Sequence, residues 1–223
     1  MPLNRILKGH RRSELTIFTG STGSGKTTFL GEYSLDLAAQ GVTTLWGSFE
    51  IKNSRLAKML ITQFAKLDLT AHTQLFDHVG QQYRQLPFFF MNFHGEHTLE
   101  NVLQTMAKSV ILHDVRHVII DNLQFMLGSQ GATNSKMDKY TYQDHVISAF
   151  RRFATDFDCH VTVVIHPRKE ESDLLLKMSS IFGSAKATQE ADNIFILQAQ
   201  NVVRNDRSIR MKFIEVWSTD DGH

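Results

Sequence analysis

Apolar residues along this chain fall in two alternating patterns. Short continuous runs, Leu15-Thr16-Ile17-Phe18-Thr19, Thr43-Thr44-Leu45-Trp46-Gly47, Leu86 to Met91, His117-Val118-Ile119-Ile120-Asp121, Val161 to Ile165 and Asn193 to Leu197, read as buried strands. Residues 209–216 read as a last strand at the sheet edge. Between the runs, apolar positions recur every three or four residues. Thr28 to Gln40 reads as a helix with Phe29, Tyr33 and Leu37 on one stripe and Gly41 as C-cap. A second helix starts near Ser54 and carries Leu56, Met59, Leu60 and Phe64; a third, capped by Thr98, carries Leu99, Val102, Leu103, Met106 and Val110. A fourth carries Val146, Ile147, Phe150 and Phe153. Residues 66–85 are polar and weakly helical, and a Gly-, Ser- and Asn-rich loop runs from Gly128 to about Lys139. Strands alternating with helices predict an α/β fold, a mainly parallel sheet with helices on both faces.

Composition adds bounds. The 223 residues make one α/β domain, ample for a buried core. A net charge of +1 means that any nucleic-acid contact must come from local patches. The single cysteine, Cys159, excludes an internal disulfide framework, fits a reducing compartment, and is read as a buried thiol between a helix and a strand. No apolar run is long enough to span a membrane. The start carries Arg5, Lys8, Arg11 and Arg12 without an acid, and is read as the approach to the fold rather than a transit peptide.

Candidate chemistry centres on Gly20-Ser21-Thr22-Gly23-Ser24-Gly25-Lys26-Thr27, with Thr28 beginning the helix beyond it. A strand precedes the motif and a helix follows, the context a phosphate-binding loop requires. Glycines let the backbone turn its N–H groups onto a phosphate, and the helix N-terminus adds positive potential. Lys26 reaches the outer phosphates, and the Thr27 hydroxyl is a Mg²⁺ ligand. Glu50, Asp121 and His166 also fall just at or beyond strand ends, where open α/β sheets bind ligands. Asp121 is the candidate second Mg²⁺ partner. Glu50 is the candidate general base, against the alternative of a surface carboxylate capping a turn. His166 and Gln124 are polar groups placed to sense a γ-phosphate, or simply to be hydrogen-bonded. His10, His94 and His97 lack metal-ligand spacing and are assigned no role.

These residues, with Gly47-Ser48-Phe49-Glu50, Asp121 to Met126, His166-Pro167-Arg168-Lys169 and Ser180 to Asn193, resemble the RecA-like ATPase domain of replicative ring helicases of the DnaB class. The mitochondrial members, related to phage helicase–primases, match best, over about Leu3 to Leu197. The resemblance implies a RecA-like P-loop ATPase over residues 1–223. It implies a ring, usually a hexamer, that encircles single-stranded DNA, moves 5′ to 3′ and works with replication proteins in the mitochondrial matrix or nucleoid. ATP or another nucleoside triphosphate, with Mg²⁺, would bind between subunits. By the same resemblance Lys26 and Thr27 bind phosphate and Mg²⁺, Asp121 positions the metal, Glu50 activates water, and His166, with Gln124, couples the γ-phosphate to movement. Channel loops would offer Lys136, Lys139, Arg168, Lys169, Lys177 and Lys186 to DNA phosphates, with a solvated charged loop the alternative for Lys136 and Lys139 and with Lys186 inside a matched segment.

Two departures stand out. The family's primase-like region and linker helix have no counterpart before the core, so a fragment or shortened product is expected. Its basic Lys-Asn-Arg motif, source of an arginine finger worth about 10³- to 10⁵-fold in rate, is replaced here by Phe213 to His223, with no arginine after Arg210. A hydrolysis-impaired module that binds nucleotide and single-stranded DNA, regulating a full-length helicase, is therefore the second reading. A different RecA-like ATPase, a recombinase or clock-type regulator, is the third.

Overall fold

The computed structural model describes residues 7–92, 98–128, 139–167, 175–180, 185–204 and 207–218. Its strands are β1 (Leu15–Gly20), β2 (Thr44–Ser48), β3 (Phe88–Phe90), β4 (His117–Asp121), β5 (His160–Val164), β6 (Asn193–Arg204) and β7 (Arg207–Ser218). They form one seven-stranded sheet in the order β3-β2-β4-β5-β1-β6-β7. All neighbours pair in parallel except β6 and β7, which run antiparallel along the edge. The helices are α1 (Lys26–Ala39), α2 (Asn53–Ala65), α3 (Phe76–Tyr83), α4 (Leu99–His113), α5 (Leu123–Gly128), α6 (Lys139–Asp156) and α7 (Ala185–Glu190).

Side-chain alternation divides the core in two. Leu15 and Ile17 of β1, Val118 and Ile120 of β4, and Val161 and Val163 of β5 pack with α4, α5, α6 and α7. Phe18, Trp46, Ile119, Val164 and Phe195 point the other way and pack with α1, α2 and α3. Trp46, Phe18 and Ile119 are wholly removed from water, each contributing roughly 1.5–3 kcal/mol of hydrophobic stabilisation. Among the described residues no helix is long and apolar enough to cross a membrane.

Several expectations need adjusting. Helix α1 starts at Lys26, and its buried line is Leu30, Ser34 and Leu37; Phe29 and Tyr33 lie half-exposed on its flank. Phe29 stacks on Phe18, with ring centroids 5.4 Å apart. Gly41 lies just past the C-cap Gln40. Its N–H donates to Ala38 O and that of Val42 to Leu37 O, a Schellman closure that needs the positive φ of 85°. The aromatic run Phe88–Phe90 is half-buried, because β3 lies at the sheet edge with a neighbour on one side only. Residues 66–85 hold a 3₁₀ turn, Thr73–Leu75, and α3. Thr98 caps α4, its Oγ1 accepting from Asn101 N–H. The loop ending at Lys139, and with it Lys136, lies outside the described residues up to residue 138.

Candidate nucleotide site

Parallel pairing aligns the carboxyl ends of β1, β2, β4 and β5 along one edge, and the chemistry-bearing residues follow those ends. Between β1 and α1 the candidate phosphate loop turns through Gly23 and Gly25, the latter at φ 102° immediately before the helix. A Cβ on Gly20 would stand 2.6 Å from the Leu197 carbonyl of β6, so only glycine fits there. Ser24 N–H donates to Ser21 O inside the loop. Lys26 is 7% exposed, and its amine donates to Gly20 O at 2.7 Å and Ser21 O at 3.2 Å. Burial lowers its pKa, opposed by the Asp121 and Glu50 carboxylates. Thr22 in the loop and Thr28 in the first turn of α1 are exposed.

Thr27 Oγ1 donates to Asp121 Oδ2 at 2.7 Å. Asp121 is 3% exposed. Desolvation pushes its carboxyl up to about 6, partly countered by the Thr27 hydrogen bond and Lys26. The peptide bond between Asp121 and Asn122 is cis.

Asn122 carries a bridge that sequence reading did not assign. Its Oδ1 accepts from Phe125 N–H at the start of α5, which orients Nδ2 outward. Nδ2 donates to Glu50 Oε2 and to His166 Nε2, the latter at 2.9 Å. His166 sits where β5 leaves the sheet, since Ile165 N–H still donates to Phe18 O. Burial and nearby Lys26 lower its pKa, against the raising effect of Glu50. The neutral ring accepts at Nε2 and carries its proton on Nδ1, which has no hydrogen-bond partner among the described residues. Gln124 braces the main chain of His166, accepting its N–H at 3.1 Å and donating to its carbonyl at 3.5 Å.

Lys212 of β7 also reaches the loop, donating to Ser24 O at 2.7 Å. Beside it an open hollow of about 540 Å³ is lined by Thr28, Phe29, Glu32 and Phe213.

The structure thus brings Lys26, Thr27, Glu50, Asp121, Gln124 and His166 to one edge. It does not bring Lys186 there as a bare cation: its amine lies 2.7 Å from Glu190 of the same helix. Lys177 is exposed. Arg168 and Lys169 lie outside the described residues. His10, given no role on spacing, packs against His117 and His160 near the opposite strand ends; His94 and His97 lie outside the described residues.

Thr27 and Asp121 present adjacent hard oxygen donors, a hydroxyl and a carboxylate, which suit Mg²⁺. Lys26 lies close enough to Glu50 and His166 for their charges to influence one another.

A family described as an AAA domain matches residues 1–172. Among solved structures, the fold is similar to an isolated ATPase domain, with a TM-score of 0.76 at 14% identity, over 96% of this chain and 84% of that one. It is also similar to a DnaB-like replicative helicase studied for its interactions with primase, with a TM-score of 0.78 at 13% identity, over 96% of this chain. There the match spans only 57% of the other chain. The mostly parallel sheet with its helices is the RecA-like ATPase fold.

Proposed function

We propose that this chain, which belongs to the AAA domain family, is the ATP-hydrolysing motor domain of a DnaB-class replicative helicase. The observation that carries the reading is the Glu50–Asn122–His166 bridge, built from three separate strand ends and facing the buried Lys26 and the Thr27–Asp121 pair.

The loop backbone from Gly20 to Gly25 and the Lys26 amine bind the phosphates, the amine exchanging its two carbonyl partners for phosphate oxygens. Thr27 and Asp121 hold Mg²⁺, which when bound neutralises charge developing on the phosphate oxygens. The Glu50 carboxylate orients the attacking water and takes its proton. Asn122 fixes that carboxylate, and the His166 Nδ1–H donates to the γ-phosphate. Loss of the γ-phosphate releases His166, and Gln124 passes the shift to α5. The hollow beside Lys212 takes the nucleotide base.

The finer reading rests on the sequence resemblance. Residues 1–223 form one RecA-like domain that works in a ring, a hexamer in the family, with ATP between subunits. Single-stranded DNA passes through the channel, met by Arg168, Lys169 and Lys186, and the motor runs 5′ to 3′ alongside replication proteins. Similarity to Twinkle, the mitochondrial helicase of this class, supports a place in the mitochondrial matrix. The nucleotide is ATP or another nucleoside triphosphate.

The second reading is a module that binds nucleotide and single-stranded DNA but turns over slowly, and regulates a full-length helicase. Binding of a fluorescent ATP analogue and of a labelled single-stranded oligonucleotide, in the wild type and Lys26→Ala, tests both readings. Nucleotide binding lost in Lys26→Ala and DNA binding tightened by nucleotide support the assignment. Analogue affinity unchanged in Lys26→Ala refutes it.

A further inference from the structure

The edge of the sheet opposite the nucleotide site is polar on the face covered by α1. Thr44, His117 and His160 lie side by side in register across β2, β4 and β5. Thr162 and Asn193 flank Thr16 in the same way across β5, β1 and β6. Six polar side chains replace the apolar ones that cover the rest of this face, and His10 lies across them. Its ring centroid is 4.1 Å from that of His160 and 4.6 Å from that of His117.

Each ring has one nitrogen anchored from outside the cluster. His10 Nδ1 lies 2.9 Å from the Tyr33 hydroxyl. His117 Nε2 lies 2.9 Å from Thr162 Oγ1. His160 Nδ1 donates to the Arg11 carbonyl at 2.6 Å. With the proton on each anchored nitrogen, the remaining nitrogens carry lone pairs. Two of these, His10 Nε2 and His117 Nδ1, are buried without a hydrogen-bond partner among the described residues. His160 Nε2 is met by Thr16 Oγ1 alone, at 2.9 Å. His117 is wholly buried, so an orphaned nitrogen there carries a real desolvation cost.

We propose that His10, His117 and His160 form a binding site for a divalent metal ion of the zinc class, which fastens the segment before β1 to the sheet. One nitrogen from each ring lies within 4.8 Å of the others. Tetrahedral zinc with bonds of about 2.0–2.1 Å sets its nitrogens about 3.4 Å apart, and turning the rings by about an ångström closes that gap. Imidazole nitrogens select zinc, copper or nickel over magnesium or calcium. The Arg11 carbonyl fixes the tautomer of His160, and the Tyr33 and Thr162 hydroxyls are able to accept from His10 and His117, as second partners of metal-bound histidines do. A cavity of about 10 Å³, the smallest that holds one water, lies beside the cluster and is lined by His10, His160, Thr16 and Asn193. Burial, with His160 as a second cause, holds His10 at about 2; burial holds His160 at about 4 and His117 well below its ordinary value. All three rings are neutral at physiological pH, the form that ligates.

The test uses the full chain, without any histidine tag, stripped by chelator and titrated with Zn²⁺ alone, then with Co²⁺ as a spectroscopic probe. The expected result is one Zn²⁺ per chain, a raised Tm, and the visible absorption of tetrahedral Co²⁺. His10→Ala removes the binding while circular dichroism and nucleotide affinity stay unchanged, because His10 lies outside the strands and away from the nucleotide edge. Tyr33→Phe weakens binding by about 10- to 100-fold. His78→Ala, on an exposed stretch of α3, leaves it intact. Absence of stoichiometric Zn²⁺ binding in the wild type, or binding undiminished in His10→Ala, overturns the proposal.

Discussion

Asn122 donates its side-chain amide to the carboxylate of Glu50, 72 positions earlier in the chain. The same amide meets His166, so one short side chain sets the relative position of Glu50 and His166, the proposed base and the proposed sensor. Asn122→Ala is expected to lower kcat for ATP by about 10²-fold, the usual effect of a small displacement of a catalytic group. KM should stay within a few-fold, because Lys26 and the phosphate loop are untouched. Asn122→Asp should be at least as damaging, since it sets a second carboxylate against Glu50. Steady-state kinetics on both variants check this.

Burial raises the Asp121 carboxyl from its ordinary 3.8 to about 6. The folded chain therefore binds more protons than the unfolded chain between those values, and this group's contribution to stability is present at low pH and lost as pH rises through that window. Asp121→Asn keeps an acceptor for Thr27 and removes the buried charge. It is expected to stabilise the nucleotide-free fold by about 1–3 kcal/mol at pH 7.5, with the gain vanishing near pH 4. Denaturant titrations of both proteins at the two pH values measure the difference. Mg²⁺-dependent nucleotide binding should fall in the same variant.

Gly20→Ala places a Cβ against the Leu197 carbonyl. Neither β1 nor β6 can yield without breaking their pairing. A loss of about 1–3 kcal/mol is expected from overpacking, read as a lower Tm, together with weakened nucleotide affinity.

The Cys159 thiol is wholly buried and is pushed up to about 12, by burial first and then by Asp158. Native protein should resist alkylation at pH 7.5 and react with one equivalent of reagent once unfolded. Mass spectrometry after iodoacetamide treatment in buffer and in denaturant distinguishes the two states.

The strands and the glycine-rich turn between β1 and α1 were legible because their signals are local. His117–Asp121 needs only a run of apolar residues closed by a carboxylate, and the glycines around Lys26 carry a fixed spacing. Helix α1 was legible as a helix and Leu37 as buried, but Leu30 and Ser34 were passed over for Phe29 and Tyr33, which are larger yet only half-buried. The Phe88–Phe90 run read as interior because hydrophobicity does not say which strand ends the sheet. Asn122 went unassigned because its partners are 72 and 44 residues away. The histidine cluster was invisible for the same reason: His10, His117 and His160 meet only once β4 and β5 pair and the leading segment folds beneath them.

The central claim is tested most directly by steady-state ATP hydrolysis with Mg²⁺, with and without single-stranded DNA, for the wild type and Lys26→Ala. The account predicts turnover that DNA stimulates and that Lys26→Ala abolishes. Turnover equal in the two proteins would contradict it.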